Sequence, residues 1–308
     1  MALMSVNNIG RRIGGRWLLR DVNLVLDQGE ALSVFGPSGS GKSLLARIIA
    51  GIDTPDKGQV TLKTETGVGS VSLALQEYGL ASQLTVYENM IFFAELSGLS
   101  HRSRARKVSF LMDLLRLSDL RGIKASQISH GAATRLEIAR ALLPDSSVYV
   151  FDSLLDSLSP GLLERLWDYL LSLRRDHGAA ILIVTASGKI AQMCSKMAVL
   201  VAGGVGYFGP PEEFRRMAGD DMVVVGDVKN PFIKNRIREQ FAVTVSEEDG
   251  FLSFRAGSAD KVVADLLSEF GADLGCVYLK RPTLEDALEV SMGDILPIAE
   301  DAQERSVQ

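Results

Sequence analysis

The sequence predicts an α/β fold in which helices cover both faces of a parallel sheet, followed by a small α+β region. Three short apolar runs are continuous rather than alternating, which is typical of parallel strands that are buried on both faces. They span residues 31–35, 148–151 and 179–185. The helical patterns that follow them begin at Lys42, Gly161 and Lys189. This alternation of strands and helices indicates an α/β layered domain.

A glycine-rich segment, GPSGSGKS, links the first strand to its helix and fits the pattern G-x-x-x-x-G-K-[ST] at every fixed position. Glycines let the backbone wrap so that N–H groups point at phosphate oxygens, and the following helix adds a positive N-terminal end. We expect Lys42 to bridge the terminal phosphates and Ser43 to coordinate Mg²⁺. The alternative is a glycine-rich turn without a ligand, but the flanking strand and helix favour nucleotide binding. The predicted nucleotide-binding residues are Gly36, Pro37, Ser38, Gly39, Ser40, Gly41, Lys42, Ser43 and Leu44.

An aspartate, Asp152, ends the second apolar run. In phosphate-loop proteins an acid at the end of a neighbouring strand holds Mg²⁺, so we expect this role for Asp152 beside Ser43. The alternative is a helix N-cap without a metal role. The next residue, where a second acid would serve catalysis, is Ser153.

Composition excludes several classes of protein. The 308 residues carry a net charge of -5, which argues against a non-specific nucleic-acid binder. The only cysteines, Cys194 and Cys276, lack the spacing of a disulfide framework or a zinc site. The longest apolar run, 179–186, is far shorter than the roughly 20 residues that span a bilayer. The N-terminal segment also lacks the order of a signal peptide, so a soluble cytoplasmic chain is predicted.

Two domains and a tail are predicted along the chain. A nucleotide-binding domain covers residues 1–217, with a largely helical insertion at about 85–145. A composition shift near 216–221 separates it from a small α+β domain at 222–296, and a polar tail follows at 297–308. In the second domain we expect two strands within 241–256 around a Glu-Asp-Gly turn, a helix at 258–271 capped by Ser258, then a strand and a short helix.

The order of these features resembles the nucleotide-binding subunit of an ATP-binding cassette (ABC) transporter over residues 5–215. The segment LALQEYGLASQLTVYENM resembles the family's Q-loop, with Gln76 as the glutamine that senses Mg²⁺ and the attacking water. The segment SQISHGAATRLEIARALL resembles the signature, with Ser129, His130 and Gly131 at its start. The resemblance implies a P-loop NTPase of the ABC type with a helical insertion subdomain. It also implies ATP and Mg²⁺ as cofactors, with Ser43, Gln76 and Asp152 at the metal.

The sequence departs from the family at several functional positions. Ser153 replaces the glutamate that acts as general base, and Ala186 replaces the histidine that contacts the γ-phosphate. The remaining departures are Ser159 for an aspartate that reaches across the dimer, His130 for a signature glycine and Ile13 for the aromatic that stacks on adenine, with Trp17 as a nearby alternative. Asp156 lies near Ser153, but it falls where the family has a loop residue that points elsewhere. A lost general base costs about 10²–10⁴-fold in rate, so we expect impaired hydrolysis and intact binding at this site.

Family members work as head-to-tail pairs. Because a homodimer of this chain would have two impaired sites, a heterodimer with an active partner ATPase is favoured. In such a pair Ser129 and Gly131 serve the partner's site. Residues 281–293 resemble the motif that closes the accessory domain of exporter-type members, and Glu285 and Asp286 there fit either a docking surface or a solvated helix cap. The basic run at 101–107 is more typical of a solvated helix face than of a lipid or nucleic-acid site.

The function predicted from these features is the ATP-binding subunit of an exporter-like membrane transporter. It would lie on the inner face of the cell membrane and contact a membrane permease subunit near Gln76 and the insertion at 85–125. The alternatives are a pseudo-ATPase that serves as a nucleotide-sensing scaffold, and an ordinary homodimeric transport ATPase.

Overall fold

The computed structural model describes residues 2–63, 70–75, 79–226, 228, 232–248 and 250–292. The chain divides into two units, with the boundary between Pro211 and Glu212. The elements of the first unit are β1 (Ala2–Ile13), β2 (Arg16–Asp27), β3 (Ala31–Phe35), α1 (Lys42–Ile49), β4 (Lys57–Leu62), β5 (Val71–Ala74), α2 (Val86–Leu96), α3 (His101–Leu114), α4 (His130–Ala141), β6 (Val148–Asp152), α5 (Pro160–His177), β7 (Ala180–Thr185), α6 (Gly188–Ala191), β8 (Lys196–Val201) and β9 (Gly204–Gly209). Among the described residues, no helix combines the length and the apolar character that crossing a bilayer requires.

A six-stranded sheet in the order β5-β6-β7-β3-β8-β9 forms the centre of this unit. Only β9 runs antiparallel to its neighbour. The predicted strands correspond to β3, β6 and β7, and their side chains alternate between two buried clusters. Phe151 and Ile183 belong to one cluster, whereas Val150 and Val184 belong to the other. Burial on both faces explains why these strands have no polar side, and their prediction is confirmed.

The register of the sheet aligns the carboxyl ends of three strands. Phe35 of β3 pairs with Thr185 of β7, and Asp152 of β6 pairs with Val184 of β7. Strand β7 therefore lies between the strand that ends on Asp152 and the strand that leads into the glycine-rich loop.

A second sheet, in the order β2-β1-β4, is antiparallel. This sheet is not predicted from the sequence, because register shifts and positive φ angles at Asn8 and Asp21 interrupt its alternation. The helical insertion contains α2, α3 and α4. Its first helix begins with a capping box, in which Thr85 and Glu88 each bind the other's backbone N–H.

The predicted helix at Lys189 is wrong in length. Helix α6 ends at Ala191, and the chain then forms β8 from Lys196 onward. Lys196 pairs with Leu32 of β3, and its ammonium group lies 2.8 Å from Glu30. The ladder with β3 therefore decides the conformation of a segment whose apolar spacing also suits a helix.

The second unit is a small α+β structure. Its elements are α7 (Pro211–Arg216), which begins at the boundary, β10 (Asp221–Gly226), α8 (Ile233–Phe241), β11 (Ser246–Glu248), β12 (Phe251–Ala256), α9 (Ala259–Phe270), β13 (Cys276–Lys280) and α10 (284–292). The antiparallel sheet has the order β11-β12-β10-β13, and α8 and α9 supply Ile237 and Leu266 to its core.

Two details of the second unit differ from prediction. The first strand of the predicted hairpin is short, because Phe241 ends α8 and pairing with β12 starts only at Ser246. Ser258 occupies the N-cap of α9, but its side chain makes no capping hydrogen bond. The predicted fold class, an α/β domain with a helical insertion followed by an α+β unit, is confirmed.

Candidate functional site

The glycine-rich loop connects β3 to α1 and has three glycines with positive φ. These angles are 152° at Gly36, 79° at Gly39 and 99° at Gly41. Side chains rarely adopt such angles, so glycine is required for the loop to wrap. Gly41 is also the N-cap of α1, and the first turn of that helix directs its N–H groups toward the loop.

Two of these glycines also lie too close to their neighbours for any side chain. A Cβ atom on Gly36 would lie 2.2 Å from the carbonyl oxygen of Leu200 in β8. A Cβ atom on Gly41 would lie 2.9 Å from the carbonyl oxygen of Leu18. The loop is thus fixed against β8 and β2, whereas a Cβ atom on Gly39 would meet nothing within 4 Å.

Lys42 is buried and folds back onto the loop. Its Nζ atom donates hydrogen bonds to the carbonyl oxygens of Gly36, at 2.8 Å, and Pro37, at 2.7 Å. Burial lowers the pKa of Lys42, and the negative charges of Asp152 and Asp156 oppose this shift. The ammonium group therefore lies at the centre of the loop, within the field of two carboxylates.

The other predicted loop residues differ in exposure. Ser38 is exposed, Pro37 is half-buried and Ser40 is buried, with its N–H bonded to the Pro37 carbonyl at 3.3 Å. Leu44 packs into the core beneath the sheet, so only its backbone is able to serve a ligand.

A serine and an aspartate meet beside the loop. The Ser43 hydroxyl donates to Asp152 Oδ1 at 3.0 Å, and the Ser153 hydroxyl donates to the same oxygen at 3.3 Å. Burial raises the pKa of Asp152, and these two hydrogen bonds oppose the shift. A hydroxyl and a carboxylate are hard oxygen ligands, and Mg²⁺ commonly binds through one or two carboxylates together with substrate phosphates. Among the described residues there is no group of three or more His, Cys, Asp or Glu side chains suited to a metal.

Ser153, at the position of the family's general base, lies at the same edge of the sheet as the end of β7. Ser153 is exposed, has a positive φ of 58° and donates its N–H to the Val184 carbonyl at 2.9 Å. Ala186 follows β7 and is exposed. Thr185, fully buried at the end of β7, donates its hydroxyl to Asp156 at 2.5 Å, and the N–H of Ala186 donates to the same carboxyl group. The family resemblance placed Asp156 at a loop residue that points elsewhere, whereas its carboxyl group is bound here to the end of β7.

The signature residues lie on a different element. Ser129 is the N-cap of α4 and accepts a hydrogen bond from Ala132 N at 3.3 Å. His130 and Gly131 form the exposed first turn of that helix.

Ser159 is the exposed N-cap of α5, without a side-chain capping bond. Gln76 lies outside the described residues.

Trp17 is covered by its own sheet. The Arg12 guanidinium lies 4.1 Å from its ring centroid and the Lys57 ammonium 5.1 Å, while the ring edge lies against Gly10. These contacts argue against Trp17 as a substitute for an adenine-stacking aromatic. Ile13 is 50% exposed at the tip of the same hairpin.

Sequence reasoning missed the contact between Asp156 and Thr185. The two residues are separated by 29 positions, and no local pattern links them. The only sequence signal is that each lies just beyond or at the end of a predicted buried strand.

Comparisons with known proteins agree with this architecture. The family model for ABC transporters matches residues 19–155. The spermidine/putrescine import ATP-binding protein PotA of Methylococcus capsulatus is 31% identical over 288 residues, which are 91% of this chain and 73% of that protein. The sulfate/thiosulfate import ATP-binding protein CysA of Mesostigma viride is 31% identical over 215 residues, which are 68% of this chain and 62% of that protein. A solved ATP-binding subunit of an ABC transporter has a TM-score of 0.63 at 25% identity and covers 70% of this chain and 92% of the solved chain.

The fold is that of a phosphate-loop NTPase with mixed α/β sheets. The chain belongs to the family of ABC transporter ATP-binding proteins. Its match to CysA spans less than two thirds of that relative's length.

Proposed function

We propose that this chain is the ATP-binding subunit of a membrane transporter, and that it binds Mg-ATP at Gly36–Ser43 but hydrolyses it slowly. The proposal of slow hydrolysis rests on the hydrogen bond from Ser153 to Asp152, at 3.3 Å. A serine hydroxyl that donates to a carboxylate has no charge with which to take a proton from water near neutral pH. Loss of a general base costs about 10²–10⁴-fold in rate, which accounts for impaired turnover without loss of binding.

Binding is supported by the loop itself. Three glycines hold the backbone in a wrapped conformation, and Lys42 supplies a buried positive charge within it. Ser43 and Asp152 are the residues that would hold Mg²⁺, and the ion would supply charge neutralisation at the phosphates. The positive φ angles of the loop and the hydrogen bonds of Lys42 involve neither Ser153 nor Ala186.

The proposed partners are a membrane permease and a second ATPase chain. Relatives are named as ATP-binding proteins of import systems, which supports a permease partner. The insertion exposes apolar side chains, with Phe92 at 44% and Leu96 at 68% on α2 and Phe110 at 45% on α3. Exposed apolar groups of this kind are typical of interaction surfaces. We place the chain at the cytoplasmic face of the membrane on this basis.

A heterodimer is proposed because two copies of this chain would form two sites without the usual base. In a heterodimer the start of α4, with Ser129 and Gly131, would complete the partner's site. The nucleotide at Gly36–Ser43 would then hold the pair together while the partner's site turns over.

The direction of transport has two opposing indications. The resemblance of residues 281–293 to an exporter motif supports export, whereas the names of the relatives support import. Transport into or out of vesicles of known orientation, reconstituted with the permease, separates the two. A nucleotide-sensing scaffold is the alternative to both. The presence of Ser153 and Ala186 in place of the family's glutamate and histidine favours this scaffold over a homodimeric transport ATPase. Failure to stimulate any permease-dependent flux, with ATP binding intact, would favour the scaffold.

The test of the proposal compares Mg-ATP binding with steady-state hydrolysis by the full chain. We expect binding that Lys42→Ala weakens by about 10–100-fold, because a charged hydrogen bond contributes about 1.5–3 kcal/mol. Hydrolysis should be slow and should rise in the double variant Ser153→Glu with Ala186→His. Rapid hydrolysis that Lys42→Ala leaves unchanged would refute the proposal, and rapid hydrolysis that Lys42→Ala abolishes would refute only the impaired site.

A further inference from the structure

Asp156 is an additional carboxylate at the candidate site. It lies on the short 3₁₀ turn Leu155–Ser157 that follows β6. The Thr185 hydroxyl donates to its Oδ1 atom at 2.5 Å, and the Ala186 N–H donates to the same carboxyl group. Because Thr185 is fully buried, this contact attaches the carboxyl group to the rigid end of a central strand.

The sheet register defines where that strand end lies. Thr185 pairs with Phe35, the residue before Gly36, and β7 lies between β3 and β6. The Asp156 carboxyl group is therefore held between the strand that leads into the phosphate loop and the strand that ends on Asp152. The electrostatic effect of Asp156 on Lys42 agrees with this position.

The chemistry of this carboxyl group suits proton transfer. The Asp156 residue is exposed, so water reaches it, and two donors occupy only part of the roughly four lone-pair sites of a carboxylate. Although the residue as a whole is exposed, partial desolvation of its carboxyl group raises the pKa of Asp156, the charge of Asp152 adds to this effect, and Thr185, Ala186 and Lys42 oppose it. A base whose pKa moves toward the working pH is a more effective proton acceptor.

We infer that Asp156 is the general base for the residual ATP hydrolysis at this site. The inference rests on the proposed function, because it names the group that carries the slow turnover. The oxygen of water forms a bond to the terminal phosphorus, the bond from that phosphorus to the bridging oxygen breaks, and its electron pair leaves with ADP. One proton of the water passes to the Asp156 carboxylate, which later releases it to solvent, and the other product is inorganic phosphate.

The test is single-turnover hydrolysis of γ-labelled ATP by the full chain in excess, with Lys42→Ala as the background. Asp156→Asn keeps the oxygen that accepts from Thr185 and removes the base, so we expect a rate decrease of about 10²-fold. ATP affinity should change by less than about threefold, since Asp156 is not part of the loop. The matched control is Asp168→Asn, which removes an exposed carboxylate on α5 and should leave the rate unchanged.

The pH profile separates a base from a purely structural group. The wild-type rate should fall as pH drops through the pKa of Asp156, and Asp156→Asn should lose this dependence. The charged groups that face Asp156 are Lys42 and Asp152. Asp156→Glu should recover about tenfold of the lost rate. Thr185→Val, which removes only the hydroxyl that holds the carboxyl group, should lower the rate by about tenfold and keep the acid limb.

Three results distinguish the inference from the proposed function. A rate within twofold of wild type for Asp156→Asn would overturn the inference. ATP binding with no Lys42-dependent hydrolysis would also overturn it and would leave the proposed binding of Mg-ATP in place. Absence of Mg-ATP binding by the wild-type chain would overturn the proposed function itself.

Discussion

Replacing Gly36 with alanine tests how tightly the loop is held against β8. The new Cβ atom would lie 2.2 Å from the Leu200 carbonyl oxygen, which is 1.2 Å less than the 3.4 Å at which ordinary contact begins. The loop backbone must therefore move away from β8, and the Gly36 carbonyl that accepts from Lys42 moves with it. Gly39→Ala is the matched control, because it also has a positive φ but meets no atom within 4 Å.

The magnitude follows from the difference between the two variants. A side chain at positive φ costs about 1–2 kcal/mol in both. Overpacking adds about 1–3 kcal/mol only at Gly36, for a total of about 2–5 kcal/mol. For a unit of about 200 residues, 1 kcal/mol lowers Tm by roughly 2–4 °C, so Gly36→Ala should melt about 2–12 °C below Gly39→Ala.

Tryptophan fluorescence is the appropriate assay, because both tryptophans of the chain, Trp17 and Trp167, lie in the first unit. Thermal melts of the wild type and the two variants give the Tm difference, and fluorescent-nucleotide titrations give the affinity. We expect a larger loss of affinity for Gly36→Ala, since the Lys42 contact moves. Equal Tm shifts for the two variants would refute the argument that contact with β8 fixes the loop.

Three further predictions concern groups away from the loop. Asn89 is fully buried and makes four hydrogen bonds to the backbone before α2, so Asn89→Ala should lower the free energy of unfolding by about 2–4 kcal/mol in a fluorescence-monitored urea titration. Burial raises the pKa of Glu137 from 4.5 to about 7 despite the opposing charge of Arg140, so its protonated form stabilises the fold fully below about pH 4.5, and this contribution is lost as pH rises through about 7. The free energy of unfolding of Glu137→Gln, measured relative to wild type, should therefore rise by up to about 3 kcal/mol between these two pH values. A difference in the free energy of unfolding that stays constant with pH would contradict this. Arg215 contacts Asp221 at 3.1 Å, and Arg215→Met should speed amide hydrogen exchange in β10 in proportion to a loss of about 1 kcal/mol.

The central sheet and the phosphate loop were predictable from sequence because both have strong local signals. A continuous apolar run identifies a strand buried on two faces, and the spacing of glycine, lysine and serine identifies the loop. The antiparallel β2-β1-β4 sheet lacked such a signal, because positive φ at Asn8 and Asp21 breaks the two-residue period. The start of β8 was misassigned because pairing between Lys196 and Leu32, distant in sequence, decides it.

The chemistry of the site was only partly predictable. The sequence shows that a serine, Ser153, stands where a second acid would serve catalysis, and it shows the aspartate before it. The direction of the Asp156 side chain is not, because the hydrogen bond that sets it comes from Thr185, the last residue of β7, which follows α5 in the chain. Likewise, the cover of Trp17 by Arg12 and Lys57 depends on the register of the hairpin and on β4.

The position of the Lys42 ammonium group has a consequence for binding thermodynamics. Its two short hydrogen bonds to the Gly36 and Pro37 carbonyl oxygens join the side chain to the wrapped backbone of the loop. A phosphate group that engages Lys42 must replace these bonds, so binding at this atom is an exchange of partners rather than the addition of one. The binding enthalpy from this contact should therefore be smaller in magnitude than that of an isolated ion pair. The entropy lost in ordering the loop on binding should be small as well.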